Sequence, residues 1–117
     1  MRLDEFIKEA QNHWNFRVYL TEPGFKHLYV RYTKRYLLGA MREPVFDIAL
    51  IEARRKGKGT FTKFFNKLRA EHPELHIFVE NVFNPRFEKK LESLGFQRVN
   101  PDEIGPSFYL PPKVEEK

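Results

Sequence analysis

One stretch of the chain has the residue types and spacing to hold a phosphate. Arg54-Arg55-Lys56-Gly57-Lys58-Gly59-Thr60 stands between a β-forming run and a helical repeat. Glycines let a backbone turn tightly and approach a ligand closely. The first turn of a helix leaves several N–H groups without intrahelical partners, at the positive end of the helix dipole. Together these make an anion cradle suited to a pyrophosphate. Lys56 and Lys58 add positive charge, and the Thr60 hydroxyl is a further donor. The plain alternative is a basic surface turn in which glycine serves only to bend the chain. The loop is neither of two common nucleotide motifs. The Gly-x-x-x-x-Gly-Lys-[Ser/Thr] spacing is absent, and Thr62 takes the place of the last glycine of Gly-x-Gly-x-x-Gly.

Acid–base chemistry has fewer candidates. Asp47 lies mid-strand on a face otherwise formed by Val45, Ala49 and Ile51. A carboxylate there needs a partner or a role: a general base, a cross-strand ion pair with an arginine, or a partly solvated face. Glu52 lies nearer the loop and is the second candidate base, or simply an exposed residue. Tyr109 and Tyr32 are possible proton donors, or packing aromatics. His13, His27, His72 and His76 have no metal-ligand spacing, no Ser–His–Asp order stands out, and no metal is expected. His76 alternates with Leu75 and Ile77 and reads as outward-facing; His72, before Pro73, suits a helix end. The absence of cysteine excludes disulfides, thiolate metal sites and a cysteine nucleophile.

The elements that must position these groups follow from periodicity. Leu3, Phe6, Ile7, Ala10 and Trp14 form a helical stripe, and Phe16, Val18 and Leu20 alternate as a short strand before Glu22-Pro23-Gly24. Residues 28–32 and 36–41 read as a hairpin around Thr33-Lys34-Arg35, with a further turn at Arg42-Glu43-Pro44. Residues 45–53 form the longest strand, with Phe46, Ile48 and Leu50 on one face. After the basic loop, Phe61, Phe64, Phe65 and Leu68 set a helical period that stops near Glu71-His72-Pro73. A compact strand runs from Leu75 to Val79. A helix then starts with Asn84 as cap and Pro85 in the first turn, faces inward with Phe87, Leu91 and Leu94, and ends at Gly95. Strands at Phe96–Val99 and Ser107–Leu110 complete the order. The expected class is α/β (α+β): one mixed, mostly antiparallel sheet with helices on both faces.

At this point the chain resembles the GNAT superfamily of acyl-CoA N-acyltransferases, as a small member reduced at its N-terminal end. The resemblance rests on Arg/Gln-x-x-Gly-x-Gly/Ala after the fourth strand, and two registers fit. Arg54-Arg55-Lys56-Gly57-Lys58-Gly59 matches literally; setting Gly57-Lys58-Gly59 on the family's common Gly-Lys-Gly puts Lys56 at the first position and Phe61 at the last. The second register keeps the helix phase. Residues 77–99, with Asn84 and the Leu94-Gly95-Phe96 ending, resemble the family's fifth strand and following helix. The likeness is good over residues 45–99 and weak before residue 28. It implies fourth and fifth strands that splay apart and acetyl-CoA lying between them. The pantetheine arm would be bonded along Ile51, Glu52 and Ala53. The pyrophosphate would be held by Lys56, Gly57, Lys58, Gly59, Thr60 and Phe61, with Asn81 and Asn84 near the cofactor. It implies direct attack by an amine, with Asp47 or Glu52 as base. The family's usual acid, a tyrosine seven residues after the asparagine, is replaced by Leu91; Tyr109 or Tyr32 would have to substitute for it.

Bulk properties bound the rest. The 117 residues suit one domain, here 1–112, with a loose tail at 113–117. A formal net charge of +5 favours phosphate-bearing or acidic partners. No apolar run reaches membrane-spanning length, and Met1-Arg2-Leu3-Asp4-Glu5 does not read as a secretory signal, so a cytoplasmic monomer or homodimer is the expectation. Arg17, Arg31, Lys34 and Arg35 interleave with Tyr19, Tyr29, Tyr32 and Tyr36, a pattern that would also serve a nucleic-acid-binding domain. A catalytically silent CoA-binding module is the third reading.

Overall fold

The computed structural model describes residues 1–12, 16–37, 41–55, 57–80, 82–99 and 106–113, with the backbone alone at 34–37 and 41–43. In chain order the elements are α1 (Leu3–Ala10), β1 (Phe16–Tyr19), β2 (Phe25–Leu37), β3 (Met41–Ala53), α2 (Thr60–Glu71), β4 (His76–Val79), α3 (Pro85–Ser93), β5 (Gln97–Arg98) and β6 (Phe108–Leu110). The strands form one sheet in the order β1-β2-β3-β4-β6-β5. Every neighbouring pair is antiparallel except β3–β4, which is parallel. This is the mixed, mostly antiparallel α/β sheet that the sequence predicts.

Two details of strand division differ from the sequence reading. No turn falls at Thr33-Lys34-Arg35 or at Arg42-Glu43-Pro44, because both triplets lie inside strands of a single long hairpin. Residues 33–35 contain none of the usual turn formers, so nothing there reverses the chain. Pro44 is tolerated in β3 because it precedes the first β3–β4 partner pair, Val45–His76, so its missing N–H is not required on that side. The second difference is a bulge. Tyr29 pairs with Leu50 and Val30 with Ile48, leaving Ala49 as an extra residue on β3. A bulge shifts the alternation by one. Phe46 and Ile48 share the buried face, but Leu50, read on that same face, is 46% exposed and Ile51 takes the core-facing place.

The main core draws on all three helices. Leu3, Phe6, Ile7 and Ala10 of α1, Phe64, Phe65 and Leu68 of α2, and Leu91 of α3 meet Val30, Phe46, Ile48, Ile77, Val79, Phe108 and Leu110 of the strands. The expectation had placed helices on both faces, whereas the three described helices share one. The reason is topological. Both strand–helix–strand units advance across the sheet in one direction, β3 to β4 and then β4 past β6 to β5, and crossovers of one hand advancing one way land on one face. The opposite, helix-free face carries a small cluster of Val45, Phe78 and Tyr109. Phenylalanines knit the helices together: Phe25 meets Phe64 edge-on at 5.4 Å, Phe61 meets Phe87 at 5.0 Å, and Phe65 packs near Phe96 at 5.6 Å. Each buried ring contributes roughly 1.5–3 kcal/mol of hydrophobic stabilisation.

The caps follow their sequence signals. Asn84 Oδ1 accepts from the Arg86 N–H at 2.9 Å, and Pro85 opens α3. Gly95, at φ 99°, closes it, and the Phe96 N–H returns to the Leu91 carbonyl at 3.0 Å. At α1 the buried Glu22 carboxylate accepts from the Leu3 N–H at 2.8 Å and from Arg2 Nε at 3.0 Å.

Gly24 joins the β1–β2 turn to the start of α2. Its carbonyl accepts from the Arg54 N–H at 2.8 Å. It sits at φ 87°, and a Cβ there would lie 2.7 Å from Thr60 Cγ2. Gly24→Ala is expected to cost about 1–3 kcal/mol through left-handed strain and this clash, read as a lowered urea midpoint.

Candidate active site

The site is built around the parallel pair. β3 and β4 are in register at Val45–His76, Phe46–Ile77, Asp47–Phe78 and Ile48–Val79. The Glu80 N–H makes one more bond, to the Ile48 carbonyl at 3.0 Å. There the strands part. β3 continues to Ala53, whereas the chain after β4 turns toward β6, with the Val82 N–H donating to the Pro106 carbonyl at 2.9 Å. Residues 49–53, which include Ile51, Glu52 and Ala53, therefore have no strand partner on the β4 side among the described residues. The Ala49 bulge lies at the same place, and bulges commonly mark the point where pairing ends or a strand is re-aimed.

At the far end of this free edge, β3 runs into the basic loop. Gly57 and Gly59 have φ values of 77° and 71°, and a Cβ on either would meet nothing within 4 Å. Arg54, Arg55, Gly57, Lys58 and Gly59 are exposed. Gly59 is the N-cap of α2 in the left-handed conformation; no side chain caps the helix, and its first turn holds no acidic residue. Among the described residues, no side chain closes this dipole end. Thr60 rests against the Gly24 turn, and Phe61 packs on the core and on Phe87 rather than into the loop. Lys56 and Asn81 lie outside the described residues. Asn84 is exposed, and its side-chain oxygen is engaged in capping α3.

Asp47 is fully buried on the helix-free face. Its cross-strand partner is Arg31, whose Nε donates to Asp47 Oδ2 at 3.1 Å. Arg31 Nη2 also donates to Glu80 Oε2 at 2.5 Å. Burial works against the charge of Arg31, but hydrogen bonding to Glu80 and the charges of Asp47 and Glu80 outweigh it and hold the guanidinium above its ordinary pKa. So Asp47 has a structural reason for its place, and the cluster at the parting is two carboxylates around one cation. Glu80, with 15% of its side chain exposed, is the more accessible carboxylate. The cross-strand arginine that the sequence offers as one partner for Asp47 is thus Arg31, whereas Glu80 is not among the sequence candidates. The signal was available: an arginine and an aspartate at the centres of adjoining apolar strands, with a glutamate ending the next.

The other candidates stand elsewhere. Glu52 is half-exposed beside Lys26 at 3.8 Å and His27 at 3.9 Å. Tyr109 is buried in the helix-free face cluster, and its hydroxyl bonds His76 Nδ1 at 2.7 Å. His76 pairs with Val45, at the closed end of β4, so the hydroxyl is directed away from the parting. His76, read as merely outward-facing, is stacked on that ring. Tyr32 packs on the helix-side core opposite Phe46; burial, with the charge of Glu74, raises its phenol pKa. Leu91 is fully buried in the core, so α3 turns that position away from solvent. Asp4, Glu71 and His72 bring ligand atoms within 4.8 Å of one another, but Asp4 and Glu71 are exposed. No helix among the described residues is long and apolar enough to cross a membrane. No protein-family model, curated protein or solved structure matches the chain.

Proposed function

We propose that the protein is an N-acyltransferase that passes an acetyl or other acyl group from acetyl-CoA to an amine. One observation carries this reading: the parallel β3–β4 pair parts after Ile48, and the free edge of β3 leads directly to an open glycine loop at a helix N-terminus. Residues 49–53 form an extended edge of roughly 17 Å, long enough to lie alongside an extended pantetheine arm. Their backbone groups would bond that arm as a further strand, as edge strands readily do. Gly57 and Gly59 let a diphosphate approach the amides that open α2, with Lys58 and the neighbouring arginines adding charge.

In the reaction, the amine nitrogen forms a C–N bond to the thioester carbonyl carbon, the C–S bond breaks, sulfur leaves as thiolate, and nitrogen gives up one proton. Free N–H groups of β3 near the bulge would stabilise the oxyanion. In this reading Glu80 would take the proton, through water, with Arg31 and Asp47 fixing its position. A thiol is a much stronger acid than an alcohol, so the thiolate can depart without a dedicated acid, consistent with Leu91 where the family places a tyrosine. The rest is positioning of the amine against the carbonyl.

Ligand-dependent melting tests the reading. Acetyl-CoA at about a hundred times its Kd should stabilise the fold by about 2.7 kcal/mol and raise Tm by several degrees. An unchanged Tm at millimolar acetyl-CoA would exclude a cofactor site.

A further inference from the structure

The helix-free face carries a second surface that the acyltransferase reading does not use. Tyr19, Tyr29 and Leu50 lie in one cross-strand row over β1, β2 and β3. Their chain neighbours Val18, Leu28 and Val30 point into the helix-side core, so the row faces out. Tyr19 is 57% and Leu50 46% exposed, large fractions for such side chains. The Tyr19 and Tyr29 ring centroids are 4.8 Å apart at a tilt of 38°, and His27 meets Tyr19 edge-on at 6.2 Å. Beside them, Arg17 stands opposite Arg31 in the next row. Arg31 is occupied by Asp47 and Glu80, whereas exposed Arg17 forms no ion pair among the described residues.

We infer that this row is a stacking platform for single-stranded RNA. Adjacent rings on an open sheet face, Tyr19 exposed and Tyr29 half-buried, offer π-surface to unpaired bases, and exposed Arg17 beside them matches the linking phosphate. The chain's net charge of +5 draws a polyanion to the surface. A protein partner would favour a broader apolar face than these three side chains beside Arg17. A duplex hides its base faces. The polar atoms on the platform, two phenol hydroxyls and an imidazole, suit the 2′-hydroxyl that DNA lacks. Of the four tyrosines that alternate with basic residues in the sequence, this selects Tyr19 and Tyr29; Tyr32 packs on the core side instead.

Fluorescence anisotropy with a labelled unstructured RNA of about ten nucleotides, without acetyl-CoA, tests the proposal. Binding is expected, weakened about five- to 150-fold by Tyr19→Ala and by Tyr29→Ala, as for loss of a stacked base. Arg17→Ala should flatten the dependence of log K on log salt by about 0.7. Circular dichroism checks that each variant is folded. Ultraviolet crosslinking of the unaltered protein, which needs no substitution, should attach RNA within residues 16–31. The inference is overturned by an absence of binding, by equal binding of DNA or duplex RNA of the same sequence, or by crosslinks confined to other segments. It is equally overturned if both tyrosine variants bind normally while Arg55→Glu with Lys58→Glu abolishes binding, which would place the RNA on loop charge alone.

Discussion

Arg31→Met is expected to remove about 3–5 kcal/mol of stability, more than any other single change considered for this fold. Asp47 is fully buried, and its close cation is Arg31 at 3.1 Å. Removing that cation takes away the charge compensation and the hydrogen bond that Arg31 gives a buried carboxylate. Glu80, bonded to the same guanidinium, is left close to it. For a domain whose total stability is of the order of 5–15 kcal/mol, such a loss is severe. Chemical denaturation measures it directly. The triple variant Arg31→Met, Asp47→Leu, Glu80→Gln should regain most of the loss, since replacing a whole buried ionic group by apolar or neutral residues is often tolerated. A loss below about 1 kcal/mol for Arg31→Met would mean that the cluster behaves as a surface ion pair, contrary to the burial of Asp47.

The second large effect concerns ligand affinity. Gly57→Glu should lower the affinity for acetyl-CoA at least about hundredfold, equivalent to about 2.7 kcal/mol, because it sets a carboxylate where the diphosphate would rest. A Cβ at residue 57 meets no protein atom within 4 Å, so the expected cost to the fold is the left-handed strain of about 1–2 kcal/mol. Gly57→Ala carries the same strain without the charge and separates the two causes: it should weaken binding far less. Isothermal titration on both variants makes the comparison. Equal affinities for Gly57→Glu and the unaltered protein would remove the loop from the site.

These two predictions draw on different amounts of sequence information. The glycine loop was legible because its chemistry is local: a change from β to helical period around Gly57 and Gly59 places them at a helix start whatever surrounds them. The same holds for the Asn84-Pro85 cap and the Gly95 stop, since caps are set by neighbouring residues. The hairpin was misdivided because Pro44 suggests a turn unless one knows that β4 begins only opposite Val45. The bulge at Ala49 leaves no trace in the alternation of a strand apolar on both faces, so simple alternation groups Leu50 with Phe46 and Ile48 although it faces the other way. Arg31, Asp47 and Glu80 are 16 to 49 residues apart in pairs, and only the sheet register brings them together. Between the two readings of Tyr109, proton donor or packing aromatic, the deciding contact is its hydroxyl on His76, between β4 and β6, which no local pattern encodes.

Amide hydrogen exchange, read by mass spectrometry with and without saturating acetyl-CoA, tests the central claim most directly. The ligand should slow exchange in residues 49–53, along the edge that β4 leaves uncovered, and in residues 57–62, where α2 begins. Protection confined to other segments, or none at all under conditions where the ligand is bound, would contradict a cofactor seated between the parted strands.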